Sequence, residues 1–275
     1  MLELLPQHAL TRCAGWLSRS RLPLLKNFMI RVFAWRYGVR WQEAAGDSPR
    51  DYRSFNEFFT RALRTGARPV DAGPDAIVSP CDGRISVLGP IRSGTLLQAK
   101  GHHYPLAALL AYTEDRTKTY AGGHFLTIYL APGDYHRVHA PLAAKLQSIA
   151  HVPGRLFPVS ARSANHVRGL FTRNERLVLH MIDARGRPAA LILVGALLAG
   201  GLESVFTGAI AHRANGTVRR YPVDAACASV QPGDELGRFN FGSTVILITG
   251  AADTVFDSGL LSGTTVQMGQ RVAML

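Results

Sequence analysis

Three short segments carry side chains able to do chemistry, and they lie far apart along the chain. In Tyr129-Leu130-Ala131-Pro132-Gly133-Asp134-Tyr135-His136-Arg137-Val138-His139-Ala140-Pro141, two histidines sit three residues apart, after an apolar run and between prolines. Imidazole takes or gives a proton near neutral pH, so His136 and His139 suit general acid–base work. With Asp82 the pair could instead serve a metal-dependent hydrolase. Zinc, however, normally takes at least three protein ligands, and the sequence has neither an HExxH helix nor a cysteine cluster to mark such a site. The prolines also make a helical HxxH face improbable.

The second segment is Phe239-Asn240-Phe241-Gly242-Ser243-Thr244-Val245-Ile246-Leu247, a small-residue turn that leads into a strongly apolar strand. Gly242 has no Cβ, which permits unusual backbone angles and close approach to its carbonyl. The Ser243 hydroxyl could attack that carbonyl if a base removed its proton. Read alone, the segment is equally an ordinary Gly-Ser turn before a core strand. The third segment, Ser79-Pro80-Cys81-Asp82-Gly83-Arg84, places Asp82 in a turn ahead of another strand, where it could simply cap its own backbone.

The elements that must position these residues change character along the chain. Beyond about residue 72, short apolar runs are punctuated by Gly and Pro. Runs 85–88, 125–130, 177–182, 190–197 and 244–248 read as strands, with one helical interruption at 105–112. The first 70 residues read differently. Leu25, Phe28, Met29 and Val32 fall at helical spacing with Trp35 and Tyr37 close by, and Ser54-Phe55-Asn56-Glu57 has the form of a capping box ahead of Phe58 and Phe59. The expected fold class is therefore α+β, a mainly β catalytic body at 71–275 preceded by a helical, basic region at 1–70.

At 275 residues, 47% hydrophobic and 18% charged, the chain can bury a sizeable core. Its formal net charge is +12, and residues 1–70 hold 12 Lys/Arg against 5 Asp/Glu. Nucleic acid, anionic lipid and acidic substrates all suit such a balance. Basic residues recurring among apolar ones, with no acid between Leu4 and Gln42, resemble a surface that meets anionic head groups. No uncharged run reaches the length of a bilayer span. Cys13, Cys81 and Cys227 are odd in number and widely separated, which points to a reduced compartment and away from zinc held by cysteine. Only four lysines are present, none in a recognisable pyridoxal box.

Together the segments resemble the pyruvoyl-dependent phosphatidylserine decarboxylases of the prokaryotic type. The family's cleavage box is matched by Gly242-Ser243-Thr244, its Asp-Gly turn by Asp82-Gly83 and its histidine box by Tyr135-His136-Arg137-Val138-His139. Phe58-Phe59-Thr60-Arg61 and Leu170-Phe171-Thr172-Arg173-Asn174-Glu175-Arg176 also look familial, in the family's order from about residue 50 to the C-terminus. Phe241 departs from the family, which often has Leu there, and so puts pocket packing in question more than chemistry.

The resemblance implies a mechanism. Asp82 orients His139, His139 deprotonates Ser243, and Ser243 attacks the Gly242 carbonyl, an arrangement of the Ser–His–Asp type. The resulting ester eliminates to dehydroalanine, which hydrolyses to a pyruvoyl group at Ser243 and ammonia. Residues 1–242 become the β chain and 243–275 the α chain, associated as a heterodimer, with a homo-oligomer left open. The pyruvoyl ketone then forms a Schiff base with phosphatidylserine and drains electrons as CO2 leaves. His136 returns the proton, and phosphatidylethanolamine is released. An apolar pocket, to which Phe241 and the run after Ser243 contribute, favours loss of the carboxylate. No metal and no nucleic acid are implied. The expected location is the cytoplasmic face of the cell membrane, peripherally held by residues 1–42. Two alternatives remain: a β-rich module that binds anionic membranes without catalysis, for which Ser243→Ala would change nothing, and another pyruvoyl decarboxylase acting on a soluble amino acid, against which the basic amphipathic N-terminus argues.

Overall fold

The computed structural model describes residues 7–71, 73–99, 102–197, 201–210, 216–240 and 243–275. Two helices open the described chain, α1 (Gln7–Ser18) and α2 (Pro23–Tyr37), and a short third, α3 (Phe55–Phe59), follows them. Pro23 sits at the start of α2, where its missing N–H costs nothing and its fixed φ suits the helix. Gly38 ends α2 in the left-handed conformation at φ 62°, which a residue without Cβ adopts freely. At α3 the Ser54 side chain accepts from the Glu57 amide at 3.2 Å, while the Glu57 carboxylate reaches the Arg53 amide. Half of the expected capping box is thus realised; its reciprocal contact has moved back one residue.

Ile30 and Ala34 of α2 pack with Phe55, Phe58 and Phe59 of α3 into a small aromatic core, joined by the half-buried Phe33 and Trp41. The opposite side of α1 and α2 faces outward. Trp16, Leu24, Phe28 and Trp35 are 80%, 89%, 66% and 81% exposed. Among the described residues no helix is long and apolar enough to cross a membrane.

The remainder is mostly β, so the α+β architecture agrees with the sequence pattern. Among the described residues the largest sheet has the order β12 (Arg219–Tyr221), β7 (Ala144–Val152), β8 (Arg176–Asp183), β9 (Pro188–Val194), β15 (Ser243–Thr249), β5 (His124–Leu130), β2 (Gly83–Pro90) and β17 (Thr265–Val266), with β13 (Ser229–Val230) also beside β7. A second sheet runs β11 (Gly208–Ile210), β10 (Leu202–Ser204), β14 (Glu235–Phe239) and β6 (Arg137–His139). Two smaller sheets are formed by β1 (Ala76–Val78), β18 (Arg271–Met274) and β16 (Val255–Phe256), and by β3 (Thr95–Ala99) with β4 (His102–Pro105). The four central apolar runs coincide with β2, β5, β8 and β9, the run at 244–248 lies in β15, and the expected helix is found at Leu106–Leu110.

β15 explains why its sequence is continuously apolar instead of alternating. Val245 and Leu247 enter the core on one face of the large sheet, Ile246 and Ile248 the core on the other. A strand covered on both faces needs apolar, preferably β-branched residues at every position. Ser243, at its first position, is consequently buried too.

Candidate active site

The three chemical segments meet at one end of β5. On one side β2 begins, with Arg84 opposite Tyr129; on the other β15 begins, with Thr244 opposite Tyr129 and Ser243 opposite Leu130. Gly83 makes the first approach possible, because a Cβ there would stand 2.5 Å from the Tyr129 carbonyl oxygen. After Leu130 the chain turns, closed by the Asp134 carboxylate accepting from the Ala131 amide at 2.7 Å, and crosses into the second sheet as β6. β14 pairs with β6, the Phe239 amide donates to the His136 carbonyl at 3.0 Å, and the chain then returns to the large sheet as β15. His136 lies on one crossing and Ser243 at the end of the other. Phe241 and Gly242 lie outside the described residues, so the geometry of the 242–243 bond is not part of this description.

His139 is joined to the Asp82 turn through its backbone, its amide donating to the Pro80 carbonyl at 2.8 Å. Its Nδ1 lies 2.7 Å from the Gly233 carbonyl. A carbonyl only accepts, so Nδ1 carries the proton and Nε2 the lone pair, which accepts from the Tyr135 hydroxyl at 2.9 Å. Burial lowers the His139 pKa, so the ring is neutral at neutral pH and Nε2 is available as a base.

His136 follows the same pattern. Its Nδ1 donates to the Asp134 carbonyl at 2.9 Å, while Nε2 is buried without a hydrogen-bond partner. The ring packs 4.2 Å from Phe59, and complete desolvation drops its pKa to about 3. Ser243 Oγ is likewise buried without a partner. Thr127 Oγ1 and Thr244 Oγ1 share this state, so what sets His136 Nε2 and Ser243 Oγ apart is their chemistry, a basic ring nitrogen and a primary hydroxyl flanking adjacent crossings.

Asp82 and His139 are brought into one region, but their hydrogen bonds go elsewhere. The Asp82 carboxylate accepts from Arg68 Nε at 2.9 Å, from Arg68 Nη2 at 2.5 Å and from the Met268 amide at 2.9 Å. Arg68 is also bonded to Glu43 at 2.7 Å, and these carboxylates push its pKa further up. The contact that fixes the His139 ring is therefore the Gly233 carbonyl, and Asp82 acts on it only as a nearby charge. Sequence reasoning missed Arg68 and Gly233. Arg68 was one arginine among many in a basic region, and Gly233 sits in an unremarkable Pro-Gly-Asp turn, so neither offered a local signal.

A family model described as phosphatidylserine decarboxylase matches residues 55–274, and one described as PSD matches residues 2–38. The chain belongs to the phosphatidylserine decarboxylase family. Among its relatives, a phosphatidylserine decarboxylase proenzyme from Methylococcus capsulatus is 44% identical over 266 residues, covering 97% of this chain and 92% of the relative. Proenzymes of the same name from Azotobacter vinelandii and Bordetella avium are 43% and 44% identical, covering 98% and 99% of this chain and 95% and 92% of their own. The first family match spans the phosphatidylserine decarboxylase segments described above, from the Asp82 turn through the histidine box to Ser243. The second falls on α1 and α2, whose outward faces carry the exposed tryptophans.

Proposed function

We propose that this chain is a proenzyme that cuts itself between Gly242 and Ser243, and that the processed protein converts phosphatidylserine to phosphatidylethanolamine and CO2. The observation that carries this reading is the buried, partnerless Ser243 hydroxyl at the junction where Asp82 and the histidine box converge. The relatives' name, phosphatidylserine decarboxylase proenzyme, supports both halves of it.

In the cut, neutral His139 takes the Ser243 hydroxyl proton at Nε2, with the Tyr135 hydroxyl as the group it must exchange for serine. Oγ bonds to the Gly242 carbonyl carbon as the C–N bond breaks and the amine takes a proton. Loss of the Ser243 α-proton then expels the ester oxygen with residue 242 as a carboxylate. Water converts the dehydroalanine left behind to a pyruvoyl group and ammonia. The site suits that group, since it would stand at the head of a strand buried on both faces, where the Ser243 hydroxyl has no hydrogen-bond partner. When present, the pyruvoyl group supplies an electron sink for decarboxylation. We assign the proton carried to and from substrate to His136, a reading supported by its Nδ1 bond to Asp134 and its unengaged Nε2.

The piece 243–275 would remain bound after the cut as the α chain of a heterodimer. β15 pairs with β5 and β9, β17 with β2, and β18 with β1. The outward apolar face of α1 and α2, set among basic residues, supports residues 1–70 as the membrane-associating region, peripheral at the cytoplasmic face, with 71–275 as the catalytic body. The metal-hydrolase alternative gains less support, since among the described residues no group of three or more His, Cys, Asp or Glu is placed to hold a metal.

Intact-mass analysis of the wild type and Ser243→Ala tests the reading. The wild type is expected as chains 1–242 and 243–275, the smaller without a free amino terminus, and Ser243→Ala as one uncut chain that releases no CO2 from phosphatidylserine. A wild-type chain that stays whole while fully active would refute it.

A further inference from the structure

Among the described residues Arg61 is a buried cation with no anion in contact. It is 5% exposed, and its Nη2 donates to the Gly133 and Asp134 carbonyls at 2.9 and 3.3 Å. Its Nε and Nη1 are buried and make no hydrogen bond. The acids whose charge reaches it are engaged elsewhere: Asp82 and Glu43 with Arg68, and Asp134 with the Ala131 amide. The Phe58 ring, 5.4 Å from the guanidinium carbon, offsets only part of the charge. Burial consequently pushes the Arg61 pKa down. An isolated buried cation is costly enough that proteins rarely keep one without a use.

Its position indicates the use. Arg61 Nη2 and His136 Nδ1 both donate to the Asp134 carbonyl, so the guanidinium stands beside the imidazole whose Nε2 is free. Arg61 also borders a cavity of about 650 Å3 whose charged lining includes Arg19, Arg137 and Arg238 and the carboxylates of Asp51, Glu57 and Glu203; His136 and Ser243 lie behind this wall and not on it. Asn56 donates to Asn240 at 3.0 Å, which holds this wall to the chain just ahead of the proposed cut. A cavity of this size holds a lipid headgroup.

We propose that Arg61, its side chain turning so that the now buried Nε–H and Nη1–H reach the cavity, binds the phosphodiester of the substrate headgroup and sets the serine portion towards His136 and residue 243. This rests on the decarboxylase reading and specifies how that substrate is held. A phosphodiester fits better than the substrate's carboxylate. A cation on the carboxylate would stabilise the charged ground state, whose charge the reaction must disperse, whereas the phosphodiester is unchanged by the reaction and its binding energy can be used throughout. Guanidinium donors also match the geometry of phosphate oxygens.

The test compares glycerophosphoserine with an O-alkyl serine, which has the same amine and carboxylate but no phosphate. In the wild type, kcat/KM is expected to favour glycerophosphoserine by about ten- to hundredfold, the range for charge-assisted bonds to a buried group. That ratio should collapse towards one in R61Q and fall less in R61K. An unchanged ratio in a processed R61Q would overturn the proposal. If intact mass shows that neither variant is processed, the wild type decides alone, and equal rates on the two substrates overturn it. A processed wild type inactive on both substrates and on phosphatidylserine overturns the decarboxylase reading and this proposal with it. A wild type active on phosphatidylserine but indifferent to the phosphate overturns this proposal only.

Discussion

Replacing Arg68 with Met should expose how far the site depends on the Arg68–Asp82 pair. Both side chains are almost wholly buried, at 4% and 6% relative exposure, and two guanidinium nitrogens face the carboxylate. Removing one partner of a buried pair costs about 3–5 kcal/mol, chiefly because the other charge is left without compensation. Asp82 would keep the Met268 amide, and the third member, Glu43, is a quarter exposed and can turn to water. The lower end, about 3 kcal/mol, is therefore expected. At roughly 2–4 °C per kcal/mol for a chain of this size, R68M should lower Tm by about 6–12 °C. Calorimetry in a Ser243→Ala background keeps every variant uncut. That background should itself cost little, since the hydroxyl it removes has no partner. The double variant R68M/D82L removes both charges and should recover most of the loss, as apolar replacement of a buried pair commonly does. A Tm within about 2 °C of the parent for R68M, or a double variant no more stable than R68M, would show that the pair does not hold the Asp82 turn in the way argued.

Acid should destabilise the uncut protein through its buried histidines. His136 falls to about 3 through burial, and His180 to about 3 through burial first and then through Arg220 and Arg116. Between pH 6.5 and about 3 the unfolded chain binds protons that the folded one refuses, so stability is complete above 6.5 and is lost as pH falls towards about 3. Each group contributes about 1.4 kcal/mol per pH unit in that window. Denaturant unfolding of Ser243→Ala between pH 7 and 5 should show the slope, and H180Q should remove the His180 share of it, leaving that of His136 and of His139, whose pKa burial also lowers. On the outward apolar face of α1 and α2, if the proposed membrane contact is made there, changing Trp16, Leu24, Phe28 and Trp35 together to Ser should lower binding to anionic vesicles about a hundredfold in co-sedimentation. Burying each side chain is worth about 1.5–3 kcal/mol when complete, so half-insertion of all four gives about 3–6 kcal/mol, which at its low end just meets the roughly 2.8 kcal/mol that a hundredfold needs. Self-cleavage should persist in that variant, because all four side chains point to solvent.

How much of this site was legible depends on the range over which each part is determined. β15 could be read directly, because a strand covered on both faces must be apolar throughout and its sequence says so locally. The Asp82 turn was legible as a turn, yet its partner Arg68 was not. In the first 70 residues Arg36 ends in solvent while Arg61 and Arg68 are buried, and nothing in the neighbouring letters separates them. Only the fold, by bringing a carboxylate or a carbonyl to each, decides which arginine is a surface charge and which is part of the site. The two histidines show the same limit more sharply. Their spacing announced proton chemistry, but the work each can do is set by where its Nδ1 proton is pinned. For His136 the acceptor, Asp134, is two residues away, and for His139 it is Gly233, ninety-four residues on. Both rings are thereby locked with Nε2 as the reactive atom. They differ in that Tyr135 occupies this atom on His139, whereas on His136 it is free. Under the proposed reading, His139 must trade tyrosine for serine to act as the base in the cut, whereas His136 needs no such exchange to meet the substrate.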